Sequence, residues 1–362
     1  MEALFRLLRI ALGTEAEASV PEGVDWPALV AFATKQGVAA MAYDGLQRCY
    51  EADPRLSLSL DREYKAEKYN WFGSVLQGEI DYDSYKKAIC DLASFYREQG
   101  IRMMVLKGYG LSLNYPVPAH RPCGDIDVYL FGCWEEADKA VTDKLGIKVD
   151  NSHHHHSVFN FGRWSVENHY DFINVHAHKS NRRLETELKA LASDQNIEHV
   201  IDGETVLLPG PNLNALFILK HAASHFASTR LNLRQVLDWL LFVRRYGEQV
   251  DWPWLYGILR RENIVRFADS LNAIGVERFG FESSLFPEVE KDEALVHRVL
   301  GDILEPEFGE RENGKLLSAL WVKPRRWWRN RWKHRICYSD SLLSSFLWSL
   351  HAKFLKPSHF IH

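Results

Sequence analysis

Val105-Leu106-Lys107-Gly108 and, further on, Arg121-Pro122-Cys123-Gly124-Asp125-Ile126-Asp127-Val128-Tyr129 decide how this chain is read. Ile101 to Leu106 is a short apolar run between Gly100 and Gly108, which predicts a buried strand. Gly108 then opens a short helix that stops before Pro116-Val117-Pro118. Asp125 to Phe131 reads as a second strand. Side chains alternate along a strand, so Asp125 and Asp127 share a face with Cα atoms roughly 6.6 Å apart, while Ile126 and Val128 turn to a core. Two carboxylates this close repel unless a cation lies between them. Mg²⁺ takes oxygen ligands and commonly uses one or two carboxylates plus substrate phosphates. The alternative is a solvated carboxylate pair on an edge strand.

Outward from this segment the pattern is helical on both sides. Trp26, Leu29, Val30 and Ala33 have helical spacing after Val20-Pro21-Glu22-Gly23, and Ile80, Ile89, Leu92 and Tyr96 mark a helix ending at Gly100. After the acidic strand, Trp134, Ala137, Val141 and Leu145 predict an amphipathic helix closed by Gly146. Ser157–Phe161 and Trp164–Phe172 read as a hairpin around Gly162-Arg163, Leu184, Leu188 and Leu191 as a helix, and Glu204–Leu208 as a last strand. Beyond Pro209-Gly210-Pro211 the chain reads as helix, including 213–227, 233–246 and 254–262. The fold class expected is therefore α+β. A helical region (1–100) leads, a small mixed-sheet core (101–208) follows, and a helical region (209–362) ends the chain.

The 362 residues are 46% hydrophobic and 25% charged, which fits a packed globular protein rather than a disordered one. Lys plus Arg number 44 against 48 Asp plus Glu, so the net charge of −4 argues against a mainly electrostatic nucleic-acid binder. Glu2, Arg6 and Arg9 interrupt the first apolar stretch, and no run is long enough for a membrane span. Five cysteines without a CxxC pair suggest reduced thiols and a cytoplasmic location.

Lys107-Gly108, Tyr115-Pro116-x-Pro118, Arg121 and Gly124-Asp125-Ile126-Asp127 together resemble the signature of the nucleotidyltransferase superfamily that includes DNA polymerase β. Most closely they resemble its uncharacterised bacterial branch, over roughly residues 25–245. Where the superfamily commonly has a Gly-Ser or Gly-Gly turn, this chain has Lys107-Gly108-Tyr109. The resemblance implies a phosphate-holding glycine turn at Gly108, and two Mg²⁺ ions on Asp125, Asp127 and a third carboxylate from a neighbouring strand. Val166-Glu167-Asn168-His169-Tyr170-Asp171 is similar to the family's Val-Glu-x-His segment, with Glu167, His169 and Asp171 on one face by parity. Glu167 is the expected third ligand, with Asp171 as its competitor and His169 beside it to orient a carboxylate or phosphate. Lys107 and Arg121 are the expected phosphate partners, alternatively surface salt-bridge residues. Glu167 or Asp127 would also help to deprotonate an acceptor hydroxyl.

The resemblance thus implies Mg²⁺-dependent transfer of a nucleoside monophosphate from a nucleoside triphosphate to an acceptor, with a small molecule or protein favoured over RNA. A nucleotide-binding protein with little turnover and an RNA-modifying enzyme are the alternatives. Four further signals stand apart. His153-His154-His155-His156 reads as a polar strand end, or less readily a metal site lacking a third ligand, with 154 and 156 on one face and 153 and 155 on the other. His221 and His225, at i and i+4, have the spacing of a helical metal pair, but beside Phe217 and Phe226 and without a zinc-protease glutamate between them they read first as core histidines. Arg234 and Asp238 have the spacing of a helical ion pair, with a role in closing the nucleotide site as the alternative. Seven basic residues from Lys323 to Arg335, among Trp321, Trp327, Trp328 and Trp332, read as a solvated helix with tryptophans against the body; an RNA or anionic-membrane grip is the alternative.

Overall fold

Helices α1 (Glu2–Leu12), α2 (Trp26–Lys35), α3 (Ala39–Ala52), α4 (Pro54–Glu63) and the long α5 (Lys65–Glu98) precede the first strand. The computed structural model describes residues 1–288, 291–306, 329–345 and 348, apart from the side chains of 57–61. The mixed segment runs β1 (Met104–Val105), α6 (Gly108–Ser112), β2 (Ile126–Tyr129), α7 (Trp134–Leu145), β3 (His156–Phe161), β4 (Trp164–His169), α8 (Asn181–Asp194), β5 (Asn196–Ile201) and β6 (Glu204–Pro209). Helices α9 (Pro211–Ser228), α10 (Leu233–Tyr246), α11 (Trp252–Arg261), α12 (Val265–Phe279), α13 (Glu293–Leu304) and α14 (Arg331–Cys337) follow. The fold is α+β.

Among the described residues the strands form one mixed sheet in the order β3-β4-β2-β1-β6-β5. β2 runs parallel to β4 and antiparallel to β1, and β1 runs parallel to β6. Parity divides the sheet as expected. Val105, Ile126, Val128 and Val166 join Ile89, Leu92 and Tyr96 of α5 and Ala137 and Val141 of α7 in one buried cluster. Met104, Leu106 and Tyr129 face the other way, into a cluster with Leu213, Leu216 and Phe217 of α9. That second cluster also takes in Leu4, Phe5 and Leu8 of α1. Phe5 meets Phe279 of α12 edge to face at 5.4 Å, and Arg9 donates to the Arg278 carbonyl at 3.2 Å.

Several boundaries differ from the sequence-based expectation for identifiable reasons. The strand expected through Phe172 ends at His169, because the Tyr170 and Asp171 amides both turn to the His155 carbonyl at 3.1 Å. The amides of Phe172 and Ile173 then donate to the Glu185 carboxylate of α8 at 3.0 and 3.1 Å. β2 stops before Phe131, where positive φ at Phe131 and Gly132 turns the chain. Strand β5 was not expected. Asn168, polar where an apolar residue is usual, is fully buried: its Nδ2 donates to Asp138 of α7 at 2.8 Å, and it accepts from the Tyr96 hydroxyl at 2.9 Å. Ser157 donates to the same Asp138 oxygen at 2.8 Å.

α1 and α3 cross closely enough that a Cβ on Gly45 would lie 2.0 Å from the Leu7 carbonyl oxygen. Gly45→Ala is therefore expected to destabilise by about 1–3 kcal/mol in urea unfolding, the usual range for overpacking. Glu185 supplies a pH-dependent term. Burial raises its carboxyl to about 7, against roughly 4.3 for an unperturbed glutamate. Its stabilising contribution is complete below the unfolded value and is lost as pH rises through about 7. Glu185→Gln should remove that loss, gaining on the order of 1 kcal/mol or more on wild type between pH 4 and pH 8 in parallel unfolding curves. Equal slopes for the two proteins would contradict it.

Candidate functional site

Lys107 begins the site with an unusual backbone, φ 45° and ψ −115°, in a region that costs a non-glycine residue on the order of 1–3 kcal/mol. Gly108 follows because nothing larger fits: a Cβ there would lie 2.2 Å from the Tyr85 hydroxyl oxygen. That hydroxyl in turn donates to the Asp125 carbonyl at 2.9 Å, so α5 holds both the turn and the start of β2.

Asp127 of β2 and Glu167 of β4 are register partners on adjacent parallel strands. Asp125 lies just before β2, exposed, with Asp127 buried two residues on. Lys107 Nζ donates to Asp127 Oδ1 at 2.7 Å. His169 Nε2 lies 3.0 Å from the same oxygen and 3.3 Å from Glu167 Oε2. Burial alone would raise the Asp127 carboxyl, but Lys107 and His169 outweigh it and hold the group well below the usual carboxylate range. Burial lowers the His169 imidazole, yet its hydrogen bonds to Asp127 and Glu167 bring the net shift upward. Asp125, although the residue as a whole is exposed, is raised, first by partial burial of its carboxyl and then by the charges of Glu167 and Asp127.

These groups line one cavity of about 610 Å³. Lys107, Gly108, Asp125, Asp127 and Glu167 form one side, and α9 and α10 supply the other through His221, His225 and Arg234. Asp171, the competitor for third carboxylate, instead accepts from Lys189 of α8 at 2.5 Å. Arg121 is buried beneath the turn. Its Nε and Nη2 donate to the two Asp238 oxygens at 2.7 and 2.9 Å, and its Nη1 donates to the Gly108 carbonyl at 3.2 Å. The guanidinium expected on a phosphate thus props the turn, and Asp238, expected on Arg234, is taken by Arg121 and by the Tyr115 hydroxyl at 2.8 Å. Arg234 donates instead to the Pro122 carbonyl at 3.1 Å.

A profile of an uncharacterised nucleotidyltransferase family matches residues 22–280. The chain belongs to that family. No curated protein and no solved structure matches it. Two sets of histidines that the sequence reading kept apart from the site also line this cavity. His221 and His225 are half-buried cavity residues rather than core ones; their spacing is the signal that puts both on one helix face. His155 and His156 both line the cavity, although strand alternation separates them, because His155 lies in the bend before β3 and escapes the alternation. Burial pushes their imidazoles down, to about 2 for His155 and about 4 for His156.

Of the basic C-terminal segment, Trp321 to Trp328 lie outside the described residues. Trp332 packs against Phe226 at 5.5 Å, and Lys333 is no solvated charge: it is buried, donating to Asp302 at 2.5 Å. The nucleotidyltransferase has no described helix long and apolar enough to cross a membrane, and its cysteines are unpaired.

The Arg121–Asp238 pair is almost fully buried, so removing one charge leaves the other uncompensated. Asp238→Asn is expected to cost about 3–5 kcal/mol in urea unfolding, and a loss under 1 kcal/mol would show that the pair does not carry the turn.

Proposed function

We propose that this nucleotidyltransferase moves a nucleoside monophosphate from a nucleoside triphosphate to the hydroxyl of a small molecule or protein, with Mg²⁺ held by Asp125, Asp127 and Glu167. The observation that carries this reading is the placement of Asp127 and Glu167 in register on adjacent strands, with Asp125 beside them, on one wall of the cavity. The donor set fits the ion: it is all carboxylate oxygen, the chemistry Mg²⁺ prefers, and the carboxylate repulsion that adds to burial in raising Asp125 is what a cation relieves. Bound Mg²⁺ supplies charge neutralisation to the triphosphate and its leaving group.

The chain's own groups do the rest. Lys107, on the cavity wall, presents its ammonium to phosphate oxygens, and His169 fixes the orientation of Asp127 and Glu167. Gly108 lets the turn approach the phosphates without a side chain. Asp127 is committed to Lys107 and His169, so the acceptor's proton goes to Glu167. A small or protein acceptor is favoured over RNA by the net charge of −4 and by the inward packing of Trp332 and Lys333. The absence of disulfides fits a cytoplasmic location.

Calorimetry with each of the common nucleoside triphosphates in Mg²⁺ tests the site. Asp125→Asn and Asp127→Asn should each weaken binding about tenfold or more, equivalent to about 1.4 kcal/mol. Unchanged affinity in both overturns the assignment. In single-turnover assays following pyrophosphate release, Glu167→Gln should abolish transfer while Asp171→Asn is mild; the reverse order moves the third carboxylate to Asp171. Binding by the wild type without transfer to any of a broad acceptor panel would identify a binding protein instead.

A further inference from the structure

The histidines next to the carboxylates form a second donor set of different chemistry. His155 and His156 meet at 4.3 Å between ring centroids, and His169 lies 5.5 and 5.1 Å from them. One ring nitrogen from each of the three falls within 4.8 Å of the other two. His156 is more than nine-tenths buried, and the Nδ1 atoms of both His155 and His156 are buried without a hydrogen-bond partner. The nearest ionic neighbour of His156 Nδ1 is the Glu167 carboxylate, at 3.7 Å. A buried polar nitrogen left unpaired is costly, and here two stand side by side.

We infer that His155, His156 and His169 hold a nitrogen-preferring first-row transition-metal ion, of which zinc is the reference member, beside the carboxylate site. Three imidazoles are a donor set that zinc accepts and that Mg²⁺, which selects oxygen, does not. Imidazole nitrogens around zinc stand roughly 3.3 Å apart at metal–nitrogen distances of about 2.0–2.1 Å, so modest ring rotations close the set. His169 joins by releasing one ring nitrogen to the metal, either Nε2 from Asp127 and Glu167 or Nδ1 from the Asp171 carbonyl. His155 and His156 line the cavity, so with three protein ligands the fourth coordination position is open to a water or to an oxygen of a molecule in the cavity. The inference does not rest on nucleotide transfer, because the metal alone is its probe.

The test uses the full chain stripped of metal with a chelator and titrated with Zn²⁺ against a chromophoric competitor in excess Mg²⁺. The expected result is one equivalent bound with Kd on the order of 1 μM or tighter. His155→Gln and His156→Gln should each weaken it about tenfold or more, while Asp125→Asn weakens Mg²⁺-nucleotide binding and leaves zinc affinity unchanged. The two sites therefore fail separately. Absence of stoichiometric zinc binding overturns the inference. So does unchanged affinity in both histidine variants, which would place the ion on the outer histidines of the run. Should those variants fail to fold, Co²⁺-loaded wild type decides: intense visible bands of a four- or five-coordinate ion are expected, and only the weak spectrum of the octahedral ion overturns the site.

Discussion

A single buried ion pair, Arg121 with Asp238, ties the glycine turn to α10. Its cost in desolvation is large, and what offsets it is full occupancy: both Asp238 oxygens are engaged by Arg121, Tyr115 adds a hydroxyl, and the remaining guanidinium nitrogen reaches the Gly108 and Pro122 carbonyls. The turn, the loop before β2 and the far wall of the cavity are all referred to this one contact. The strained Lys107 backbone is tolerable because the residues around it are held so firmly, by Tyr85 from one side and Arg121 from the other.

The acidic face is built from a balance of charge rather than from exposure. Asp127 is buried, and it stays ionised because Lys107 and His169 meet the same oxygen. On the opposite face of the same strands, Asn168, Asp138, Ser157 and Tyr96 form a small polar network centred on one Asp138 oxygen. Such networks specify one strand register, since a one-residue slip would put Asn168 among the carboxylates and Glu167 in the core.

Much of this was legible because it is local. Helix α7 with its Gly146 cap, helix α10, and the strand alternation of Asp127 against Ile126 and Val128 follow from spacing alone. The pairing of Asp127 with Glu167 needed the family resemblance as well, since two strands distant in sequence can meet in any register. The partner of Arg121 was not legible: Asp238 is 117 residues away, and its i, i+4 neighbour Arg234 offered a plausible local answer. The joint placement of His155 and His156 was hidden because the parity rule was applied one residue beyond the strand. Strand β5 escaped because Asn196–Ile201 includes polar and charged residues on an edge, where burial does not impose a pattern.

The shared core of α1 and α12 has a consequence for how the molecule comes into being. Phe5 finds its aromatic partner at Phe279, and the Arg9 guanidinium finds its carbonyl at Arg278. During synthesis the apolar stripe of α1 leaves the ribosome long before the residues that cover it exist. Its early neighbours are α2 and, pressed against it at Gly45, α3. The first helices must therefore wait as an unfinished group, lacking the cover that α12 gives α1, until translation has passed residue 279. A chain with closures of this span folds late rather than progressively, and its N-terminal apolar stripe stays exposed for most of its synthesis.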